Sequence, residues 1–121
     1  MERLIYFKEK RKYPRVYMDL PLDYWVQYDS DAHGGIAIDA SEAGFLIYSR
    51  EDLPIGTNLR IAVLFPREYQ LANVEVFAEI VWKKVEEKWE EGYQYGMKFI
   101  QILEEDYRKL RKLLITKLLG G

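Results

Sequence analysis

The chain has 121 residues, no cysteine, 31% charged residues and a formal net charge of −2. This length fits one domain with a single hydrophobic core, and the absence of cysteine excludes disulfides and thiolate metal sites. Because no apolar stretch resembles a signal peptide or approaches the roughly 18 residues of a spanning helix, we predict a cytoplasmic protein with no membrane span.

The first element is basic, whereas the rest of the chain is acidic. Residues 1–15 carry six Lys or Arg against two Glu, and the remaining 106 residues carry 12 basic and 18 acidic side chains. Duplex DNA usually needs a broad basic face, but a small ligand with two phosphates needs only a local cluster. We predict that residues 1–15 form a flexible arm and that its R-x-x-x-R motif, Arg11 and Arg15, contacts such a ligand.

Residues 16–103 show the short, Tyr-rich and Val-rich runs that are typical of an antiparallel sheet. Turn residues such as His33 and the two glycines after it separate these runs. Six short strands with no room for helices between them predict a mainly β protein, a closed six-stranded antiparallel β-barrel. The predicted strands are residues 16–28 with a bend at Pro21, 35–39, 44–48, 58–65, 73–84 and 92–102.

A second motif, D-x-S-x-x-G, spans residues 39–44 and falls on the predicted turn between two of these strands. In a chain of this composition R-x-x-x-R arises by chance roughly 0.5 times, whereas D-x-S-x-x-G arises only about 0.01 times. The second motif therefore carries most of the specificity. We expect it to lie at one rim of the barrel, where the arm can fold across it.

The two motifs supply the chemistry that a guanine nucleotide needs. The planar forks of Arg11 and Arg15 can grip a phosphate or the N7/O6 edge of guanine, and they can stack on the purine. Asp39 can accept hydrogen bonds from the donor edge of guanine, which should exclude adenine, and the Ser41 hydroxyl can bond to a phosphate or a base. We expect Gly44 to allow a sharp turn with no side chain in the way of the ligand.

Three further residues are candidates for the same site. Lys10 precedes the first arginine and could neutralise a second copy of the ligand, while Trp82 and Tyr95 are candidates to stack on a base. An aromatic side chain in a barrel strand more often belongs to the core, and an exposed lysine in an arm is ordinary. The sequence leaves open whether one or two ligands bind.

The last element, residues 104–121, changes to a helical period. Tyr107, Leu110, Leu114 and Leu118 recur at helical spacing, and three acidic residues begin the segment. We predict one C-terminal α-helix that packs on the barrel. Its leucines either complete the core or form a dimer contact, so the sequence leaves monomer and homodimer open.

The paired motifs resemble those of the PilZ domain family, and the resemblance extends over about residues 10–119. Residues 76–82 and 92–99 look like the last two strands of that family. The resemblance implies a bacterial receptor for cyclic di-GMP in which the arginine arm wraps the ligand against the D-x-S-x-x-G turn. It implies a conformational change of the arm that signals to an effector protein, and no cofactor beyond the ligand.

Three other classes of function fit the sequence less well than this interpretation. An enzyme is disfavoured because His33 is the only histidine and no cysteine is present. A barrel that binds single-stranded nucleic acid is disfavoured because residues 16–121 are net negative. A PilZ-like adaptor that contacts a protein without a nucleotide is disfavoured because both motifs are intact.

Overall fold

The computed structural model describes residues 3–6, 14–27, 29–67, 70–87 and 91–119. Within them lie seven strands and one helix: β1 Leu4–Tyr6, β2 Val16–Val26, β3 His33–Ala40, β4 Gly44–Ser49, β5 Asn58–Arg67, β6 Gln70–Val85, β7 Tyr93–Leu103 and α1 Glu104–Leu118. Arg11 and Lys10 lie outside the described residues, as do most residues of the basic segment.

Six of the strands close into an antiparallel barrel, which confirms the predicted fold. The strand order is β1-β7-β4-β3-β2-β5-β6, and an additional pairing between β6 and β7 closes the ring. Closure gives each strand from β2 to β7 a partner on both sides over part of its length; β2, for example, pairs with β3 on one side and, from Leu22 to Val26, with β5 on the other. The alternation of buried and exposed residues along β2 places one face of that strand on the core and the other outside.

The short strand β1 lies within residues 1–15, where the sequence predicts a flexible arm and no strand. It pairs antiparallel with the end of β7, where Tyr6 lies opposite Gln101 and Leu4 opposite Leu103. Because β6 occupies the other edge of β7 as far as Ile102, β1 lies on the same edge as β4 and continues it. The three residues of β1 form a strand because they pair with β7, and no local pattern in the sequence predicts this pairing.

Strand β2 is irregular at Asp19 instead of bending at Pro21. Its pairing with β3 shifts register between Tyr17 and Leu20, and Asp19 has a φ of 51°. Pro21 is paired normally opposite Ile36. The irregularity is therefore a bulge at a residue type that tolerates the left-handed region. His33 is also not a turn residue, because it begins β3.

The core fills the barrel and extends to one face of α1. Its largest fully buried side chains include Tyr24, Phe45, Tyr95 and Phe99, with the rings of Phe45 and Phe99 edge to face at 4.7 Å. From the helix, Leu110 and Leu114 are buried, whereas Leu118 is exposed. The helical stripe therefore packs on the barrel over its first three turns only.

Candidate functional site

Arg15 and Asp39, one from each motif, are in direct contact. Arg15 immediately precedes β2, and the first β2 residue, Val16, lies opposite Ala40 at the end of β3. This register brings the Arg15 Nε to 2.7 Å from Asp39 Oδ1, with the arginine side chain 49% exposed and the carboxylate 22% exposed. The two motifs therefore meet at the surface of one end of the barrel.

Ser41 organises the turn between β3 and β4 from inside. Its side chain is buried, its hydroxyl accepts a hydrogen bond from the Ala43 N–H at 3.1 Å, and its own N–H donates to the Gly44 carbonyl at 2.9 Å. A hydroxyl that binds the backbone two residues on is the serine turn motif. In this structure Ser41 therefore shapes the turn and presents no open hydroxyl to a ligand.

Gly44 is required for a different reason from the expected one. Its φ is not in the left-handed region, so it does not provide a sharp turn. A Cβ at this position would lie 2.2 Å from the carbonyl oxygen of Met97 in β7. Close approach of two backbones is another role that only glycine fills. Gly44 therefore lets the motif turn lie against β7, where the Phe99 N–H donates to the Ala43 carbonyl at 2.9 Å.

Glu42, the middle residue of the turn, contacts helix α1. Its Oε1 lies 3.1 Å from Arg111 Nε, and its Oε2 accepts from the Tyr107 hydroxyl at 3.5 Å. Sequence reasoning did not assign Glu42 a role, because a glutamate within a turn gives no sign of a partner 69 residues away.

A row of residues on the outer face of the barrel runs from Asp39 to Trp82. In register, Trp82 lies opposite Gly96, Gly96 opposite Leu46, Leu46 opposite Asp39 and Asp39 opposite Tyr17. Directly paired residues share one face of a sheet. Three strand spacings of about 4.8 Å separate β6 from β3, so the row from Trp82 to Asp39 is about 14 Å long.

Trp82 lies across Gly96 at one end of this row. A Cβ on Gly96 would fall 2.1 Å from the Trp82 Nε1, and the indole is 43% exposed. A register shift between Ile80 and Trp82 explains the exposure, because Ile80 is fully buried and simple alternation would bury Trp82 as well. Gly96 thus provides the seat on which the indole rests.

Tyr95 cannot stack on a base as a surface aromatic, so that candidate is wrong. Its side chain is fully buried at the opposite end of the barrel. Its hydroxyl donates to the Glu51 carbonyl at 2.5 Å and accepts from the Leu53 N–H at 2.8 Å. Burial raises the pKa of this phenol, which therefore stays protonated and serves as a structural donor and acceptor.

The same end of the barrel holds other satisfied polar groups. The Tyr24 hydroxyl and Ser49 Oγ are 2.6 Å apart, and burial raises the pKa of Tyr24. Lys83 pairs with Asp52, and this hydrogen bond raises the pKa of the lysine. No described side-chain polar atom that is buried lacks a hydrogen-bond partner. This end is therefore a completed network.

The described residues contain no group of three or more His, Cys, Asp or Glu side chains that could hold a metal ion. Within the same ranges, no helix is long and apolar enough to cross a membrane.

Solved structures share this architecture. MotI (DgrA), the inhibitor of motility of Bacillus subtilis, aligns with a TM-score of 0.71 and 21% identity over 94% of this chain and 53% of its own. MrkH of K. pneumonia in its apo state gives a TM-score of 0.71 with 16% identity over 94% and 53%. The PilZ domain of Escherichia coli YcgR, solved with c-di-GMP, gives 0.68 with 13% identity over 93% and 94%. The chain thus spans about half the length of MotI and MrkH.

The sequence itself places the chain in a family. The model of the PilZ domain matches residues 9–116, which include both motifs, the whole barrel and most of α1. The chain belongs to the PilZ domain family, and the resemblance found in its sequence is confirmed. No curated protein matches the chain.

Proposed function

We propose that the chain is a receptor for cyclic di-GMP that binds the dinucleotide at the rim where its two motifs meet. PilZ membership and the c-di-GMP found in the YcgR domain support this function. The proposed ligand contacts are Arg11, Arg15, Asp39 and the turn that Ser41 and Gly44 shape. Ligand contact with the arginine segment then presents a changed surface to an effector protein, and no covalent bond is made or broken.

The Arg15–Asp39 pair is the observation that carries the proposal. Among the described residues the contact uses Nε of the arginine and one carboxylate oxygen, and the other four N–H donors and the second oxygen have no described partner. Both side chains are exposed enough for a ligand to reach them. An exposed ion pair contributes at most about 1 kcal/mol, so a ligand can replace this contact at little cost.

The chemistry of the pair suits guanine better than adenine. Asp39 accepts hydrogen bonds only, and guanine offers N1–H and its amino group as adjacent donors. The corresponding edge of adenine has an acceptor at N1, which a carboxylate repels. The arginine fork suits a phosphate or the N7/O6 edge of guanine. We therefore expect cyclic di-GMP to bind and cyclic di-AMP to be rejected.

Isothermal titration with cyclic di-GMP, cyclic di-AMP and GTP tests the function directly. Arg15→Ala and Asp39→Ala should each weaken binding of cyclic di-GMP by about 1 to 3 kcal/mol, or roughly tenfold to a hundredfold. Arg50→Ala is the control for loss of one arginine, because Arg50 follows β4 at the other end of the barrel.

Two results would contradict the proposal. No heat with cyclic di-GMP at high micromolar protein would exclude the receptor function and favour an adaptor that acts without a nucleotide. Equal binding of cyclic di-AMP would show that Asp39 does not select the base.

A further inference from the structure

The turn between β3 and β4 is fastened to helix α1 by one side chain, Glu42. Arg111 and Tyr107 approach its two carboxylate oxygens separately, at 3.1 and 3.5 Å. These two helix residues are four positions apart and therefore lie on one face of α1. The contact is partly sheltered, with the side chains of Glu42 and Arg111 31% and 56% exposed.

Helix α1 also contacts the strands that flank the arginine segment. Residues 7–15 connect β1 to β2, and α1 packs against both strands. The helix begins on β1, because the Glu104 N–H donates to the Arg3 carbonyl at 2.6 Å. The Arg3 and Glu104 side chains lie 3.7 Å apart. Helix α1 therefore contacts both the β3–β4 turn, which carries the second motif, and the two strands that flank the arginine motif.

We infer that Glu42 is a positioning residue that couples the proposed ligand turn to α1 through Arg111 and Tyr107. The inference rests on the proposed function, and it adds residues that belong to neither motif. If the turn binds ligand best when it is held by α1, the ligand must in return stabilise the contact with α1 by the same factor. Ligand binding at the turn would then change the stability of helix α1, which lies on the surface away from the ligand.

Two arginines of α1 offer a matched pair of variants. Arg111→Ala removes the contact with Glu42, whereas Arg108→Ala removes an arginine whose described partner is Glu104 in the same helix. Each variant loses one positive charge, and alanine preserves the helix. We expect Arg111→Ala to weaken cyclic di-GMP binding about twofold to fivefold, the range of an exposed ion pair, and Arg108→Ala to leave it unchanged.

Hydrogen exchange tests the coupling separately from stability, because it compares each variant with and without ligand. In the wild type, cyclic di-GMP should slow exchange of the amides of residues 107–114. This ligand-dependent protection should persist in Arg108→Ala and be lost in Arg111→Ala. The exchanged pair Glu42→Arg with Arg111→Glu should bind cyclic di-GMP more tightly than either of its single exchanges, because it restores opposite charges.

The outcomes separate this inference from the proposed function. A wild type that does not bind cyclic di-GMP would overturn both. A wild type that binds, with Arg111→Ala indistinguishable from it in affinity and protection, would overturn the coupling alone. Equal losses in Arg111→Ala and Arg108→Ala would assign the effect to the charge of the helix and would also overturn the coupling.

Discussion

The two ends of the barrel satisfy their polar groups in different ways. At the motif end, Arg15 and Asp39 pair with each other at the surface. At the opposite end, which we call the closed end, the hydroxyls of Tyr24 and Tyr95 are buried and bond to Ser49 and to the backbone of residues 51 and 53. The motif end has an exposed ion pair between its two motifs, whereas the closed end has buried neutral hydroxyls in addition to its own ion pair, Lys83 with Asp52.

This difference separates residues that a ligand can use from residues that the fold needs. A buried hydroxyl that is hydrogen-bonded within the protein is out of reach of a ligand, and its loss leaves its partners unpaired. An exposed ion pair costs little to rearrange. We therefore expect changes at the closed end to reduce stability without altering ligand affinity. Side chains exposed at the motif end should show the reverse.

Gly44 lies at the motif end, but we expect its substitution to reduce stability, and to give the largest effect of all the variants. Gly44→Ala places a Cβ 2.2 Å from the Met97 carbonyl, so β4 and β7 must separate. We expect the free energy of unfolding to fall by about 3 kcal/mol, as in overpacked cores. Gly34→Ala is the control, because a Cβ there meets no described atom within 4 Å. Urea unfolding compares the two variants, and equal stability would refute the close-approach role.

Trp82 tests how far the proposed ligand site extends from Asp39 along the row of outer-face residues. If the exposed indole stacks on a base, Trp82→Ala should weaken cyclic di-GMP binding by about 1 to 3 kcal/mol, the usual range for base stacking. Val81→Ala alters the neighbouring exposed residue and should leave affinity unchanged. Titration calorimetry measures both. Unchanged affinity in Trp82→Ala would restrict the ligand to the Asp39 end of the row.

Tyr95→Phe tests the closed end. The change removes a hydroxyl that donates to one backbone group and accepts from another. We expect a loss of stability of about 1 to 2 kcal/mol in thermal unfolding, with unaltered affinity for cyclic di-GMP. Tyr93→Phe, on the ring that lies 6.1 Å from Tyr95, is the control. A loss of affinity in Tyr95→Phe would show that the two ends are coupled.

The smallest expected effect concerns a buried carboxyl group at the start of α1. Burial raises the pKa of Asp106, although Lys109 at 3.7 Å opposes the shift. The folded protein therefore holds this proton more tightly than the unfolded chain does. The contribution of Asp106 to stability is fully present below the ordinary carboxyl pKa of about 4 and is lost as pH rises through the folded pKa.

Asp106→Asn does not titrate, so its stability relative to wild type should increase between pH 4 and pH 7. Urea unfolding at several pH values measures this difference. Glu105→Gln, on the exposed side of the same turn, is the control for loss of one carboxylate from this part of the helix. A relative stability of Asp106→Asn that falls with pH would mean that the ionised form is favoured by folding.

The barrel and the place of the motif turn could be predicted from the sequence, because strand periodicity and turn residues are local signals. Strand β1 could not, since a three-residue strand depends on its partner β7. The exposure of Trp82 could not be predicted from the sequence either. A single bulge between Ile80 and Trp82 reverses the faces of the residues that follow, and nothing in the side chains of β6 marks its position.

Within the candidate site, the sequence indicated residues that lie near one another, but it did not predict the structural role of each. Arg15 and Asp39, named from the two motifs, are in contact at the end of the barrel where the motif turn lies. Gly44, however, serves the packing of two strands, and this reason depends on which strand lies beside it. The partnership of Glu42 with α1 was missed for the same reason, because long-range contacts follow from topology and not from local pattern.

The dependence of the motif turn on β7 has a consequence for how the protein folds. Residues 39–44 are synthesised more than 50 positions before Lys98, which lies opposite Gly44. The turn therefore lacks its backing strand until nearly the whole barrel has left the ribosome. Such distant pairings slow folding, and this one makes the proposed site a late product of barrel closure. On the proposed function, a nascent chain would acquire affinity for cyclic di-GMP only in this final step.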